Sequence, residues 1–548
     1  MNLSKAIQQL TLAGTMLASS LNAQETTFKQ EWKVKVDTKS FFLTTCSIDA
    51  SEVVATTKKA VYFLNGKDGS KVWGGDLETL FGLKDSDLQK YVEDAGVLFV
   101  FNRKKGADQL VCIDTHTGKM LWNTEKYEGI GKDNVLYFPE IKAFLILLKE
   151  GADMVDARTG VLKYSLTGMR GGVGLYKYLA DKKEILIVNA VPTTLSSMFK
   201  GFKNQLLKIE AETGRVIWET EYRGQATTEL VSDKMLLDWQ ITSDKILLQL
   251  DGLQVFDLAT GKALWHAELN MDINHHGLLK ASETYHAIAD PLIVKDDVYM
   301  VEVSENGKKK ALKKYDLNTG KLLWSNEEIN GKKTVIPELS YVNGVIIAQL
   351  GGYVNNQTIK QGNNQTIKES VWEQQGPFGL KAFDAATGKM IWSNETPKDL
   401  ITGVVTDDNS VYVATETSFL KIDAKSGTVK YEMKNKAANV GDPEQLLDMG
   451  DKVATYCANG VVAYKKEGGT TAYATPVKNL RAYEPIQQNG KAYFVKTKKE
   501  LVRFDFNSGV VDGSYTFDGD IKWRLSKDGE SIILFVKGGE VSKYSTKK

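Results

Sequence analysis

Ten times the chain writes a version of one short phrase, and this recurrence limits its fold more than any other feature. Residues 114–125 read DTHTGKMLWNTE, 257–268 read DLATGKALWHAE, 316–327 read DLNTGKLLWSNE and 384–395 read DAATGKMIWSNE. Anchored on its glycine, the phrase falls at Gly69, Gly118, Gly160, Gly214, Gly261, Gly320, Gly388, Gly427, Gly469 and Gly509, at intervals of 39 to 68 residues. Four residues earlier stands an acid in eight copies (Asp114, Asp156, Glu210, Asp257, Asp316, Asp384, Asp423, Asp505), with Asn65 and Lys465 in the other two. Four residues later stands a Trp or Tyr in nine copies, and the last copy has Gly513 instead. Units of this length, kept in register along a chain, specify a repeat array.

The residue types describe a hairpin. A strand-like QLVCID (109–114) runs in and KMLWNTE (119–125) runs out. Glycine tolerates the positive φ that such a reversal needs. The Asp carboxylate accepts from backbone N–H groups two or three residues on, and a Thr or Ser before the glycine adds a further bond. The Trp then lies on the outgoing strand, where a ring of that size fills the gap between packed sheets and its N–H requires an acceptor. Upstream, DNSVYVATETSFLKID (408–423) and NGKAYFVKTKKELVRFD (489–505) each show two short β-rich runs around a polar turn. Each unit therefore reads as a four-stranded antiparallel sheet. The series predicts an all-β β-propeller of eight or more blades, in one large ring or two. One turn of helix is expected within 81–96. At the ends, IILFVKGGEVSKYS (532–545) supplies inner strands without an outer one, and FKQEWKVKV (28–36) supplies an outer strand with Trp32 in the aromatic slot. The two are expected to pair and complete a last blade, hiding sheet edges.

The chain has 548 residues, too many for one ordinary core. Lys plus Arg is 70 and Asp plus Glu is 69, a balance without the basic footprint of nucleic-acid binding. Lys5, the apolar stretch from Leu10 to Leu21 and then Asn22-Ala23-Gln24 describe a signal peptide over 1–23, ahead of a repeat region over 24–548. The mature protein is expected to be exported, periplasmic or secreted, with no transmembrane segment. Cys112 and Cys457 sit in strand-like runs and read as buried apolar fillers; with Cys46 they make an odd count, and no CxxC occurs.

The repeats resemble the tryptophan-docking repeats of the pyrroloquinoline quinone (PQQ) β-propeller superfamily, whose consensus is close to A-x-D-x-x-T-G-K-x-x-W. The match is best at Asp114, Gly118 and Trp122, at Asp257, Gly261 and Trp265, at Asp316, Gly320 and Trp324, and at Asp384, Gly388 and Trp392. The resemblance covers nearly the whole mature chain and implies the fold, while function depends on the site. The superfamily holds quinoprotein dehydrogenases and the propeller lipoprotein of the outer-membrane barrel-assembly machinery. Quinoprotein alcohol dehydrogenases carry two adjacent cysteines beside the quinone and hold calcium with carboxylates and amides. This sequence has no Cys-Cys pair, and no local ligand cluster matches that site. A lipid-anchored homologue would show a Cys where this chain has Ala23-Gln24. No Gly-rich phosphate loop, His-Glu-x-x-His motif or nucleophile elbow occurs. The sequence assigns no catalytic residue and predicts no cofactor, with PQQ and calcium left open for the quinoprotein alternative.

Function in a repeat protein concentrates where the units differ. The longest insertion holds NNQTIK twice (355–360 and 363–368) and then ESVWEQQGPFG (369–379), read as a mobile loop or an extended hairpin. Trp372 and Phe378 are its candidate partner anchors. A second insertion, VPTTLSSMFKGFKNQ (191–205), offers Met198, Phe199 and Phe202 as apolar partner candidates. A third, 271–291, holds His275, His276 and His286 between Asp272 and Asp290, weak metal-ligand candidates in a polar loop. The reading is an exported, non-enzymatic scaffold that binds a protein partner of the cell envelope through loops. The alternatives are a PQQ-dependent quinoprotein dehydrogenase and a small-ligand-binding sensor.

Overall fold

The computed structural model describes residues 28–36, 43–102, 108–127, 135–148, 151–169, 172–190, 204–223, 238–250, 252–268, 274–275, 280–285, 287–303, 309–329, 334–362, 365–394, 399–480, 486–496, 500–517, 521–536 and 538–547. The signal-peptide reading of 1–23 falls outside them. The fold is an all-β β-propeller of eleven sheets, ten of four strands and one of six. In nine of the four-stranded sheets the strands follow one another in chain order, and in the six-stranded one two strands from earlier in the chain are added to such a blade. In the tenth four-stranded sheet Lys29–Lys35 pairs with Glu540–Ser545, so the two ends of the chain complete the last blade as expected. The chain divides into two compact units, 1–84 with 459–463 and 472–548, and 85–458 with 464–471. The helical turn lies at Leu77–Phe81, capped by the Asp76 carboxylate, just upstream of its expected place. Within 81–96 the chain forms the strand Leu88–Val92 and a 3₁₀ turn, Glu93–Ala95. No helix among the described residues is long and apolar enough to cross a membrane.

The middle strands of each blade are covered on both faces, and this is why they read as unbroken apolar runs. Val97–Asn102, Ala143–Leu147 and Ser410–Thr415 are buried throughout. The outermost strands, such as Val429–Lys434, alternate between exposed and half-buried residues. The core lies between neighbouring sheets. The Phe99 ring packs 4.9 Å from Phe144 of the next blade and 5.3 Å from Trp122 of its own.

The repeated phrase forms the turn its residues describe. Asp114 Oδ1 accepts from the backbone N–H groups of His116 (3.1 Å) and Thr117 (2.8 Å) and from the Thr117 hydroxyl (2.9 Å). Gly118 donates to the Asp114 carbonyl at 2.9 Å with φ 68°. The same bonds recur at Asp316 and Thr319 and at Asp384 and Thr387.

The aromatic of one copy docks on the turn of the next. The Trp122 ring lies over Gly160, where an added Cβ would come within 2.6 Å of it. Its indole N–H donates to the Ala157 carbonyl at 3.1 Å. Trp218 donates to Leu258, Trp265 to Leu317, Trp324 to Ala385 and Trp392 to Ala424. Tyr164 reaches Ala211 and Tyr473 reaches Phe506 through their hydroxyls. The acceptor is each time the residue just after the turn acid, so the same phrase supplies both the docking ring and the next docking site.

The structure adds a pattern that the strand runs concealed. Directly across from the docking position stands a cation in five blades: Lys208, Lys314, Lys421, Arg503 and Lys543. Four of them meet an acid, Lys543 pairing with Glu31 at 3.1 Å, and Lys421 donates to the Lys466 carbonyl at 3.1 Å. Lys208 pairs with Glu184 at 3.0 Å, Lys314 with Asp297 at 2.8 Å and Arg503 with Asp512 at 2.6 Å. A buried cation without such a partner costs several kcal/mol, roughly, so the acids are needed with them.

Candidate functional site

One sheet breaks the pattern. Its hairpin consists of Val345–Gly362 and Gln365–Asp384, several times the length of a blade strand. The first part, Val345–Leu350 against Gly379–Asp384, lies inside the blade between Leu339–Val342 and Met390–Asn394. A register shift between Leu350 and Gly352 marks where it leaves. Gly351 has φ 71° there, and the Phe378 ring lies against it so closely that a Cβ would collide. Beyond this point Gly352–Gly362 pairs with Gln365–Gln375 without interruption.

The third insertion joins the first. Lys280–Tyr285 adds antiparallel to the long strand, from Tyr285 opposite Asn355 to Lys280 opposite Lys360. Asn274–His275 pairs with it in turn. Two insertions with a whole blade between them in sequence, 292–326, thus build one projecting sheet. The longest insertion is the extended hairpin of the two forms expected for it.

Strand alternation sorts the side chains. On one face Tyr353 stands opposite Gln374 and Asn355 opposite Trp372; on the other Val354 stands opposite Glu373 and Asn356 opposite Val371. Gln374 donates to the Tyr353 hydroxyl at 3.0 Å and to Glu416 of the next blade at 3.1 Å. Ser370 donates to Asn355 at 2.8 Å, and Asn356 donates to Glu373 at 3.0 Å. Among the described side chains, amides and hydroxyls thus add to the backbone ladder between the two strands. Among its described side chains three large apolar or aromatic ones are open to water: Tyr353 (48 %), Val371 (50 %) and Trp372 (52 %).

The two aromatic anchor candidates differ in place. Trp372 stands on the projecting part, whereas Phe378 is half-buried at its base against Gly351. Tyr353 and Val371 were not singled out from the sequence; each stands beside another apolar residue, Val354 or Trp372, in an otherwise polar run, so no alternation marks the open face. Met198, Phe199, Phe202, His276 and His286 lie outside the described residues, and His275 is described only as part of its short strand. Among the described residues no group of three or more His, Cys, Asp or Glu side chains could hold a metal ion.

With the blades and this sheet in view, relatives can be compared. Residues 57–173, 183–348 and 378–449, well over half of the chain, match the family described as outer membrane protein assembly factor BamB. The chain belongs to that family. No curated protein matches it in sequence. Among solved structures it is similar to BamB from Moraxella catarrhalis, at 14 % identity over 80 % of this chain and 98 % of that one, with a TM-score of 0.30. It is also similar to the quinohemoprotein alcohol dehydrogenase ADHIIG from Pseudomonas putida HK5, at 13 % identity over 82 % of this chain and 74 % of that one, TM-score 0.30. A computationally designed protein, Ika8, matches at 13 % identity over 69 % of this chain and 97 % of that one, TM-score 0.34.

In this BamB-family chain the turn acids are structural. Asp114 is pushed up by burial, but hydrogen bonds from Arg158 and Thr117 outweigh that and hold its carboxyl down at about 2. Arg158 belongs to the next turn, and its guanidinium also donates to the Ala95 carbonyl at 3.1 Å. Two other acids are shifted the opposite way. Burial pushes up Asp290, with repulsion from Asp238 adding to it, and burial pushes up Glu338 against a hydrogen bond from Ser340. The three cysteines stand in separate sheets. Cys112 and Cys457 are fully buried, and burial pushes both thiols up to about 12. They are the apolar fillers that their strand context suggests.

Proposed function

We propose that this BamB-family chain is an exported, non-enzymatic scaffold that holds a protein of the cell envelope against its projecting sheet. One observation carries the reading: two separate insertions converge on one hairpin that leaves the blade and presents Tyr353, Val371 and Trp372 to solvent. Exposed Tyr and Trp side chains such as Tyr353 and Trp372, set among polar ones, are what binding hot spots are made of. The description of the family as an assembly factor agrees with work done on other proteins. The reading assigns no quinone and no calcium to the chain.

The test compares the full chain with a variant lacking 353–374, by crosslinking in intact envelopes after circular dichroism has shown both to be folded. The variant is expected to lose the crosslinked species. Equal recovery from both would overturn the reading. Saturable binding of added PQQ with calcium, followed by absorbance, would favour the dehydrogenase alternative instead.

A further inference from the structure

The projecting sheet has two edges, and they are treated differently. On the edge of Val345–Gly362, Lys280–Tyr285 runs along Asn355–Lys360 and Leu339–Val342 along Val345–Ala348. The strand Gln365–Asp384 is paired on its other side only at Leu380–Phe383, by Met390–Asn394. Beyond Gly379, no strand of the described residues runs along that side. Gln374 still reaches Glu416 by its side chain, so the open stretch centres on Ser370, Val371 and Glu373. Such an edge presents backbone donors and acceptors in a row, and proteins usually cover or blunt it.

We propose that this edge is a docking site for an extended segment of a partner protein, which adds to the sheet as a further antiparallel or parallel strand. The proposal rests on the scaffold reading above and specifies how the partner is held. Main-chain hydrogen bonds supply affinity in this mode, and alternate side chains supply specificity. The chain already uses the same mode on itself, since Lys280–Tyr285 is a remote segment added to the opposite edge. The side chains state the chemistry of the occupant. Val371 and Glu373 are exposed on one face, and Trp372 is exposed on the other. An incoming strand with basic residues on the face of Glu373 and apolar residues on the face of Trp372 complements both. Alternating Lys and Val is the simplest such sequence.

The probe is an acetylated, amidated octapeptide of alternating Lys and Val, compared with the same peptide N-methylated at every second residue. The N-methylated form keeps its side chains but loses the donors of one edge. Hydrogen exchange of the full chain, read by mass spectrometry over 366–376, is the measurement. The free chain is expected to exchange rapidly at about every second amide of this stretch, and the unmethylated peptide is expected to slow those sites about tenfold. Ser370→Pro and Val371→Pro complete the test. Neighbouring N–H groups in an antiparallel strand point to opposite sides, so one of the two prolines falls on the open edge and leaves the hairpin intact. That variant is expected to lose the peptide effect and the envelope crosslinks together.

Equal slowing by both peptides, or none by either, would overturn strand addition. So would full protection in the free chain at low concentration, or protection that grows with protein concentration alone, which would mark a second copy as the occupant. If deleting 353–374 abolishes the crosslinks but both prolines preserve them, strand addition falls and the scaffold reading stands. If the deletion also preserves them, both fall.

Discussion

The Phe28 ring lies 2.6 Å from where a Cβ on Gly513 would stand. Gly513 occupies the aromatic position of the tenth copy, the one copy without an aromatic there. The reason is in the blade that follows. That blade is made from both chain ends and has no Asp-x-x-x-Gly turn, so a ring at 513 would have no turn to dock on. Phe28 fills the space from the other end of the chain. Its N–H donates to the Ser514 carbonyl at 3.2 Å, and the Arg503 guanidinium lies 5.3 Å from its ring centre.

This relationship predicts a coupled pair of substitutions. Phe28→Ala is expected to destabilise the chain by about 3 kcal/mol, as for a buried Phe truncated to Ala. Gly513→Ala is expected to be destabilising alone, because its methyl meets the ring. In the Phe28→Ala background it should cost little, since the space is then open. Denaturant midpoints of the four proteins give the cycle. Simple additivity would show that the ring does not rest on Gly513.

Docking of a ring on the next turn predicts a cost at both partners. Trp265→Ala is expected to lose about 3–5 kcal/mol. Trp265→Phe should lose about 1 kcal/mol, the bond to the Leu317 carbonyl. Gly320→Ala is expected to cost more than the ~1–2 kcal/mol of its left-handed backbone alone, because its methyl also meets the Trp265 ring. Hydrogen exchange at 312–326 reads all three. Unchanged protection in Gly320→Ala would contradict the docking.

The depressed Asp114 carboxyl predicts a stability change in acid. Its folded value is about 2, below the ordinary 3.8. The stabilisation is therefore fully present above about pH 4 and is lost as pH falls toward 2. Arg158 is half-exposed, so screening limits the effect to about 1 kcal/mol. Arg158→Ala should flatten this part of the pH–stability curve and lower the plateau near neutrality. An unchanged curve would show that the pair does not couple to folding.

Burial of two thiols predicts selective labelling. In the native chain at pH 8 at most one thiol, that of Cys46, is expected to react with a disulfide reagent, against three in denaturant. Early reaction at Cys112 or Cys457, located by peptide mapping, would contradict their burial.

The turn was legible from local residues alone. Asp, Thr and Gly at 114, 117 and 118 act within one hairpin, so spacing along the chain is also spacing in space. The pairing of the chain ends was also legible, because each end lacks what the other carries. The helical turn was misplaced by several residues, since its cap, Asp76, lies at the end of a strand rather than in a helical pattern.

Other features needed the folded chain. The role of Trp122 depends on Gly160 and Ala157, which belong to another blade. The cations across from the docking rings look like strand residues until their acids arrive from neighbouring strands. Most of all, nothing in KASETY (280–285) marks it as the neighbour of NNQTIK (355–360). A local pattern records the face that a residue turns to its own sheet. It does not record which remote segment arrives at the sheet's edge, because backbone hydrogen bonds are nearly indifferent to side-chain identity. The blades therefore follow from the residues, while the projecting sheet and its open edge were decided by where the blades place its strands.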